Sequence, residues 1–140
     1  MSSEQRIDVA CAVLVFDERN NVLLVKRRRD PHVPEALWCW PTGRLEFGET
    51  GAQAAARETL EETGVTIRIL SPHPQHVSEY IEPVKEEHCV LLEYVGRYVS
   101  GEEQNMEPEK HDAVRWFSLA SLPENLSFST KTALEKVLKD

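Results

Sequence analysis

The segment from Gly43 to Val65, GRLEFGETGAQAAARETLEETGV, constrains this chain more than any other stretch of it. Within it Glu58, Glu61 and Glu62 stand at i, i+3 and i+4, the spacing that stacks side chains on one face of a helix. Three carboxylates on one face repel one another unless positive charge lies among them. The simplest source is a divalent cation, and a ligand set of oxygens alone points to a hard one such as magnesium, with manganese as a substitute. A bare ETLEE also suits an ordinary solvated acidic face with ion pairs such as Arg57–Glu61. That reading leaves Gly43 and Glu49 unexplained.

Both ends of the segment carry helix signals. Thr50 to Gln53 has the form of a capping box, in which hydroxyl and amide side chains each satisfy the other residue's backbone N–H. Ala52, Ala54, Ala55, Ala56 and Leu60 are strong helix formers, and Ala52, Ala56 and Leu60 are expected to form an inward stripe. Gly64 is placed as a left-handed cap, and Val65 opens a β-branched run.

Gly43, Glu49, Arg57, Glu58, Glu61, Glu62, Gly64 and Val65 together resemble the Nudix box, whose pattern is G-x5-E-x7-R-E-U-x-E-E-x-G-U with U a bulky aliphatic. Thr59 departs from it at a U position, where its methyl can still pack. Many members carry Pro-Gly-Gly before the box, whereas this chain has Pro41-Thr42-Gly43. The resemblance implies the Nudix fold, an α/β/α sandwich around a mixed β-sheet, and hydrolysis of a diphosphate bond. It also implies roles by position. Glu58, Glu61 and Glu62 would hold the metal together with the Thr42 backbone carbonyl, Glu58 is a candidate general base, and Arg57 would orient a glutamate, most simply Glu49.

The rest of the chain sets broader limits. A length of 140 residues suits one domain, taken as 1–140 with the box at 43–65. No opening apolar stretch resembles a signal peptide and no run approaches a membrane span. Cys11, Cys39 and Cys89 lack metal-ligand spacing and read as buried free thiols of a cytoplasmic protein. A net charge of −8 argues against nucleic-acid or membrane partners. Patterning predicts strands at Ile7–Phe16, Val22–Lys26, Leu37–Trp40, Val65–Leu70, Gln75–Ile81, Cys89–Val99 and Ala113–Ser118. It also predicts a loop over Asp30–Pro34, an acidic loop over Gly101–Lys110 and a helix over Ser129–Leu138.

Substrate contacts are sought around the box. Trp38, Trp40 and Trp116 are flat platforms suited to a base, with Trp40 and Trp116 the better placed. Lys26 and Arg27 match a basic pair that meets phosphates in similar enzymes, while Arg28 and Arg29 read as surface charge. The MutT branch often adds a glutamate from a distant loop, and Glu102, Glu103, Glu107 and Glu109 all qualify. Asn105–Lys110 resembles a segment of MutT-like nucleotide diphosphatases, which brings Glu109 into the substrate-binding set. His73, His76, His88 and His111 read as surface or loop residues.

The expected activity is therefore metal-dependent cleavage of a nucleoside triphosphate, ordinary or oxidised, to monophosphate and pyrophosphate, by a monomer or homodimer. Dihydroneopterin triphosphate is the nearest alternative substrate, because some enzymes of that kind carry Thr-Gly before the box. A non-catalytic nucleotide-binding domain is the alternative of a different class; such domains typically lose a box glutamate, and this chain keeps them all.

Overall fold

A computed structural model describes residues 5–28 and 36–139; the loop expected over 30–34 and the surface charge expected at Arg29 lie outside them. The described strands are β1 (Ile7–Phe16), β2 (Asn21–Arg27), β3 (Trp38–Cys39), β4 (Thr42–Arg44), β5 (Thr66–Ile69), β6 (His76–Glu82), β7 (Glu87–Ser100) and β8 (His111–Ser118), and all join one sheet. Two helices, α1 (Gly51–Thr63) and α2 (Phe128–Lys139), accompany it. β1 runs parallel to β7, from Ile7 beside His88 to Phe16 beside Arg97. The other named pairings are antiparallel, so the sheet is mixed, as expected.

The nearly unbroken apolar run of β1 follows from its central position, with a layer on each face. Strand alternation sends Ala10, Ala12, Leu14 and Phe16 into the cluster closed by Ala133 and Leu134 of α2. Cys11, Val13 and Val15 enter the other cluster, closed by Ala54 and Ala55 of α1. This is the α/β/α layering that the resemblance implied. The three cysteines are free, Cys11 and Cys39 buried and Cys89 half-buried.

Helix α1 is capped as its sequence requires. The Thr50 hydroxyl accepts from the Gln53 N–H at 3.1 Å and the Gln53 side chain accepts from the Thr50 N–H at 2.9 Å. At the other end Gly64 adopts φ 76° and its N–H donates to Leu60 O. The inward stripe differs from the expected one. Gly51, Ala54, Ala55, Thr59, Glu62 and Thr63 are buried, while Leu60 is 48% exposed. Close approach to the sheet selects the smallest residues: a Cβ on Gly51 would overlap the Tyr94 hydroxyl. Thr59 is fully buried, its hydroxyl donating to Ala55 O at 2.8 Å, which accounts for threonine at a position where the family favours an aliphatic.

Two features position the lip of the helix. The first, β4, was not expected from the sequence; it pairs Ala12 with Thr42 and Cys11 with Gly43, laying the start of the box against the central strand. Thr42 sits in this extended strand and lacks a positive φ, so threonine fits without the freedom of glycine. The second is the docking of the acidic loop on the orphan carbonyls of α1, with Gln104 N–H donating to Thr63 O at 2.9 Å and Met106 N–H to Glu62 O at 3.2 Å.

Candidate active site

Arg57 organises the acidic helix. Its Nε and Nη2 grip both oxygens of Glu49 at 3.0 and 2.6 Å, the bidentate arrangement that a guanidinium favours. Nη1 donates to Glu58 at 2.9 Å and Glu61 at 3.1 Å, and Nη2 also reaches Arg44 O at 3.2 Å. Glu49 in turn accepts from the Glu46 N–H at 2.9 Å. The Arg57 bond holds the Glu49 carboxyl below its ordinary range. One arginine thus binds three box glutamates and the strand beside them.

Glu58 and Glu62 face a cleft lined also by Arg27, Thr42, Gly43 and Glu107. Glu62 is 3% exposed and accepts from the Thr42 N–H at 3.2 Å. Burial pushes its carboxyl up to about 8, with Glu58 adding to the rise and the Thr42 N–H opposing it. Burial also raises Glu58, against the pull of Arg57. Arg28, Arg44, Lys110 and His111 complete the lining. The site therefore has an anionic wall from α1 and a cationic rim from the strand ends.

Several expected site residues lie elsewhere. Glu61 is half-exposed and turned to Arg57, outside the residues that line the cleft. Trp40 is 1% exposed in the α2-side core, its N–H bonded to Thr130 Oγ1 at 3.0 Å and its indole N–H to Ser129 Oγ at 3.2 Å, so it offers no platform. Trp38 is also buried, edge-on to Phe117 at 4.8 Å. Trp116 packs against Tyr98 at the far end of β8, about 17 Å of strand from His111. Lys26 sits over the Trp38 ring at 5.8 Å, while Arg27 alone of that pair lines the cleft. Glu109 is exposed outside it, and Glu107 takes its place.

Three residues were undervalued by sequence reading. Arg28 lines the cleft and pairs with Asp112 at 3.5 Å rather than being plain surface charge. Arg44 and His111 line it too, and His111 is 6% exposed rather than a surface residue. The one available signal was register: β2 pairs Arg27 with His111, which brings the end of the acidic loop to the basic strand end.

Among the described residues, no three His, Cys, Asp or Glu side chains are gathered closely enough to hold a metal ion as they stand. The donor chemistry nevertheless fits a hard divalent cation. A buried carboxylate (Glu62) and a half-buried one (Glu58) on one helix face, both with raised affinity for protons, lie beside Glu107 and the Thr42–Gly43 backbone. Burial is the main cause of that rise, and the smaller part that comes from neighbouring carboxylates is the part a cation would relieve.

Together these features define a phosphohydrolase-type site, with a carboxylate-bearing helix facing cationic strand ends on an α/β sandwich. The profile of the NUDIX domain matches residues 6–137, and the chain belongs to that family, whose hydrolases generally use divalent metal ions. It is 30% identical over 123 residues to the 8-oxo-dGTP diphosphatase of Escherichia coli, covering 84% of each chain. It is 29% identical over 126 residues to an ADP-ribose pyrophosphatase of Methanocaldococcus jannaschii, covering 90% of this chain and 68% of the other. Against six other curated relatives it spans only 22% to 40% of their length. Among solved structures, a MutT NUDIX hydrolase from Burkholderia pseudomallei superposes with a TM-score of 0.80 at 32% identity, covering 94% of this chain and 98% of that one. The chain is thus an enzyme of the MutT-like Nudix type. No described helix is long and apolar enough to cross a membrane.

Proposed function

We propose that the chain is a magnesium-dependent pyrophosphohydrolase of the cytoplasm that cleaves a nucleoside triphosphate to its monophosphate and pyrophosphate. The observation that carries this reading is the doubly charged cleft, in which Glu58, Glu62 and Glu107 line the same space as Arg27, Arg28, Arg44 and Lys110. The carboxylate side suits a metal and the cationic side suits a chain of phosphates. Glu58, Glu62 and the Thr42 carbonyl would hold magnesium, with Glu61 joining once freed from Arg57. Bound there, the ion would supply charge neutralisation and acidification of water.

The chain's own residues do the rest. Arginine and lysine at the rim neutralise the phosphate oxygens that would otherwise repel a nucleophile. A water oxygen forms a bond to phosphorus as the bridging P–O bond breaks, and Glu58 takes the proton. Attack at the α or the β phosphorus gives the same two products. Arg57 fixes Glu58 and Glu49 during this step.

An adjoining cavity of about 440 Å³ shares Arg27, Arg28 and Thr42 with the cleft and continues past Leu91, Tyr80 and Phe128. Its apolar and aromatic lining suits a base or pterin in place of the buried tryptophans. Thr42-Gly43 favours a second reading, dihydroneopterin triphosphate as the substrate of the same reaction. The test is a panel of deoxy-, ribo-, oxidised and pterin triphosphates, with ADP-ribose included, in magnesium. Products are identified by mass. Monophosphate with pyrophosphate is expected. Release of orthophosphate alone overturns the mechanism, and binding without turnover across the panel favours a non-catalytic role.

A further inference from the structure

We infer, on the strength of the phosphohydrolase reading above, that His111 is a further phosphate-contacting residue, with Nδ1 donating to an anionic oxygen of the substrate's phosphate chain. His111 lines the cleft beside Arg27, Arg28, Lys110 and Glu107 and is more than nine-tenths buried. Its Nδ1 is the single buried side-chain nitrogen or oxygen among the described residues that has no hydrogen-bond partner. Such orphans are rare in folded proteins, because a buried polar atom left unpaired loses its hydration without compensation.

A slack backbone does not explain the orphan. The His111 N–H donates to Glu107 O at 3.0 Å, and its carbonyl accepts from Asn105 Nδ2 at 2.8 Å. The neighbouring Lys110 carbonyl accepts from the Arg28 N–H at 3.1 Å, and β2 pairs Arg27 with His111 directly. The backbone that carries the ring is held on both sides.

The neighbours also define what is missing. Burial first, then Arg27 and Lys110, push the imidazole down to about 4, which favours the uncharged ring with one N–H, and the inferred contact places that N–H on Nδ1. Arginine and lysine side chains donate and cannot accept, so the cationic rim offers no acceptor to that N–H. Of the nearby carboxylates, Glu107 is engaged by Lys110 at 3.6 Å, and Glu109, which raises the His111 imidazole, is exposed outside the cleft. An anionic oxygen drawn in by Arg27, Arg28 and Lys110 is the acceptor that the site lacks. His111 would then read the phosphate chain as a neutral donor among charged ones, a contact that depends on geometry more than on net charge.

The test uses the full chain with inorganic pyrophosphate and magnesium as the probe, apart from any turnover. In wild type labelled with 15N-histidine, pyrophosphate should shift the His111 Nδ1 resonance saturably and leave the exposed His73 unmoved. His111→Phe should raise the inhibition constant for pyrophosphate, and KM for the best triphosphate, about 10- to 100-fold, with kcat changed less. His111→Asn, whose side-chain amide can stand in for Nδ1, should stay within about 3-fold of wild type. Binding of an unphosphorylated nucleoside should be alike in all three. Unchanged pyrophosphate affinity in His111→Phe, equal losses in both variants, or no saturable shift in wild type would each overturn the contact. Pyrophosphate binding through His111 without hydrolysis of any triphosphate supports the contact and sinks the proposed activity; hydrolysis with both variants intact does the reverse.

Discussion

Gly43 lies so close to Glu58 that a Cβ on the glycine would overlap Glu58 Cδ, Cγ and Oε1. Its φ is not positive, so glycine is needed here for space and not for backbone freedom. At Gly43 the lip strand leaves room for the carboxylate helix by adding no side chain.

Gly43→Ala should therefore push the Glu58 carboxylate out of place while leaving the sheet intact. Displacement of a reacting group by about 1 Å costs on the order of 100-fold in rate, and kcat should fall by at least that much. Circular dichroism should still report a folded protein. A variant with near wild-type kcat would show that Glu58 has room to retreat without consequence.

Arg57→Ala removes the guanidinium that bridges Glu49, Glu58 and Glu61. kcat/KM should drop about 10- to 100-fold. Arg57→Lys should recover only part of this, because an ammonium cannot hold both Glu49 oxygens with parallel N–H bonds. Carbon NMR of Glu49 should report a carboxyl that titrates higher in the alanine variant than in wild type, where the Arg57 bond lowers it.

Stability should fall as pH rises when metal is withheld. The Glu62 carboxyl titrates near 4.5 when unperturbed and is pushed up to about 8 in the fold. Between those values the folded protein keeps a proton that the unfolded chain has lost, so the stabilisation is full below the lower value and is lost as pH climbs through the upper one. In a chelator, the melting temperature should decline from pH 5 to pH 8 by on the order of 10 °C. Glu62→Gln should flatten that slope, and saturating magnesium should restore stability at pH 8. A slope that survives in Glu62→Gln belongs to other groups.

The acidic loop should divide cleanly between its glutamates. Glu107 lines the cleft and Glu109 is exposed outside it. Glu107→Gln should lower kcat/KM about 10- to 100-fold, or raise the magnesium needed for half-maximal rate by a similar factor. Glu109→Gln should stay within about 2-fold of wild type. The reverse pattern would mean that the loop rearranges when the metal binds.

What the sequence made legible was local. The helix and its caps at Thr50 and Gly64 follow from spacings of a few residues, the Arg57–Glu49 pair was implied by the family resemblance, and each is found in the fold. Patterning also located both central strands, β1 from the long apolar run that burial on two faces leaves and β7 from its alternation. Apart from the short strand β4, the misses are questions of facing or of docking. Leu60 lies outward and Trp40 inward because α1 approaches the sheet closely and α2 meets Trp40 through Ser129 and Thr130, facts set by residues distant in the chain. The choice between Glu107 and Glu109, and the importance of His111, depend on where the loop docks on Glu62 and Thr63. Hydropathy carries no trace of that docking.

The parallel pairing of β1 with β7 also has a consequence for how the protein comes into being. Ile7–Phe16 has its long partner at His88–Arg97, so the most apolar strand of the chain is made early and paired late. At about 5–20 residues per second, a ribosome leaves it waiting on the order of 10 s, exposed to chaperones and to other nascent chains. Helix α1 can cap itself with neighbours close in sequence as soon as it emerges, whereas β4 has nothing settled to lie against until β1 is anchored. The cleft is therefore a late product of folding, and weakening β7 should show first as poor yield from cells and only afterwards as poor catalysis.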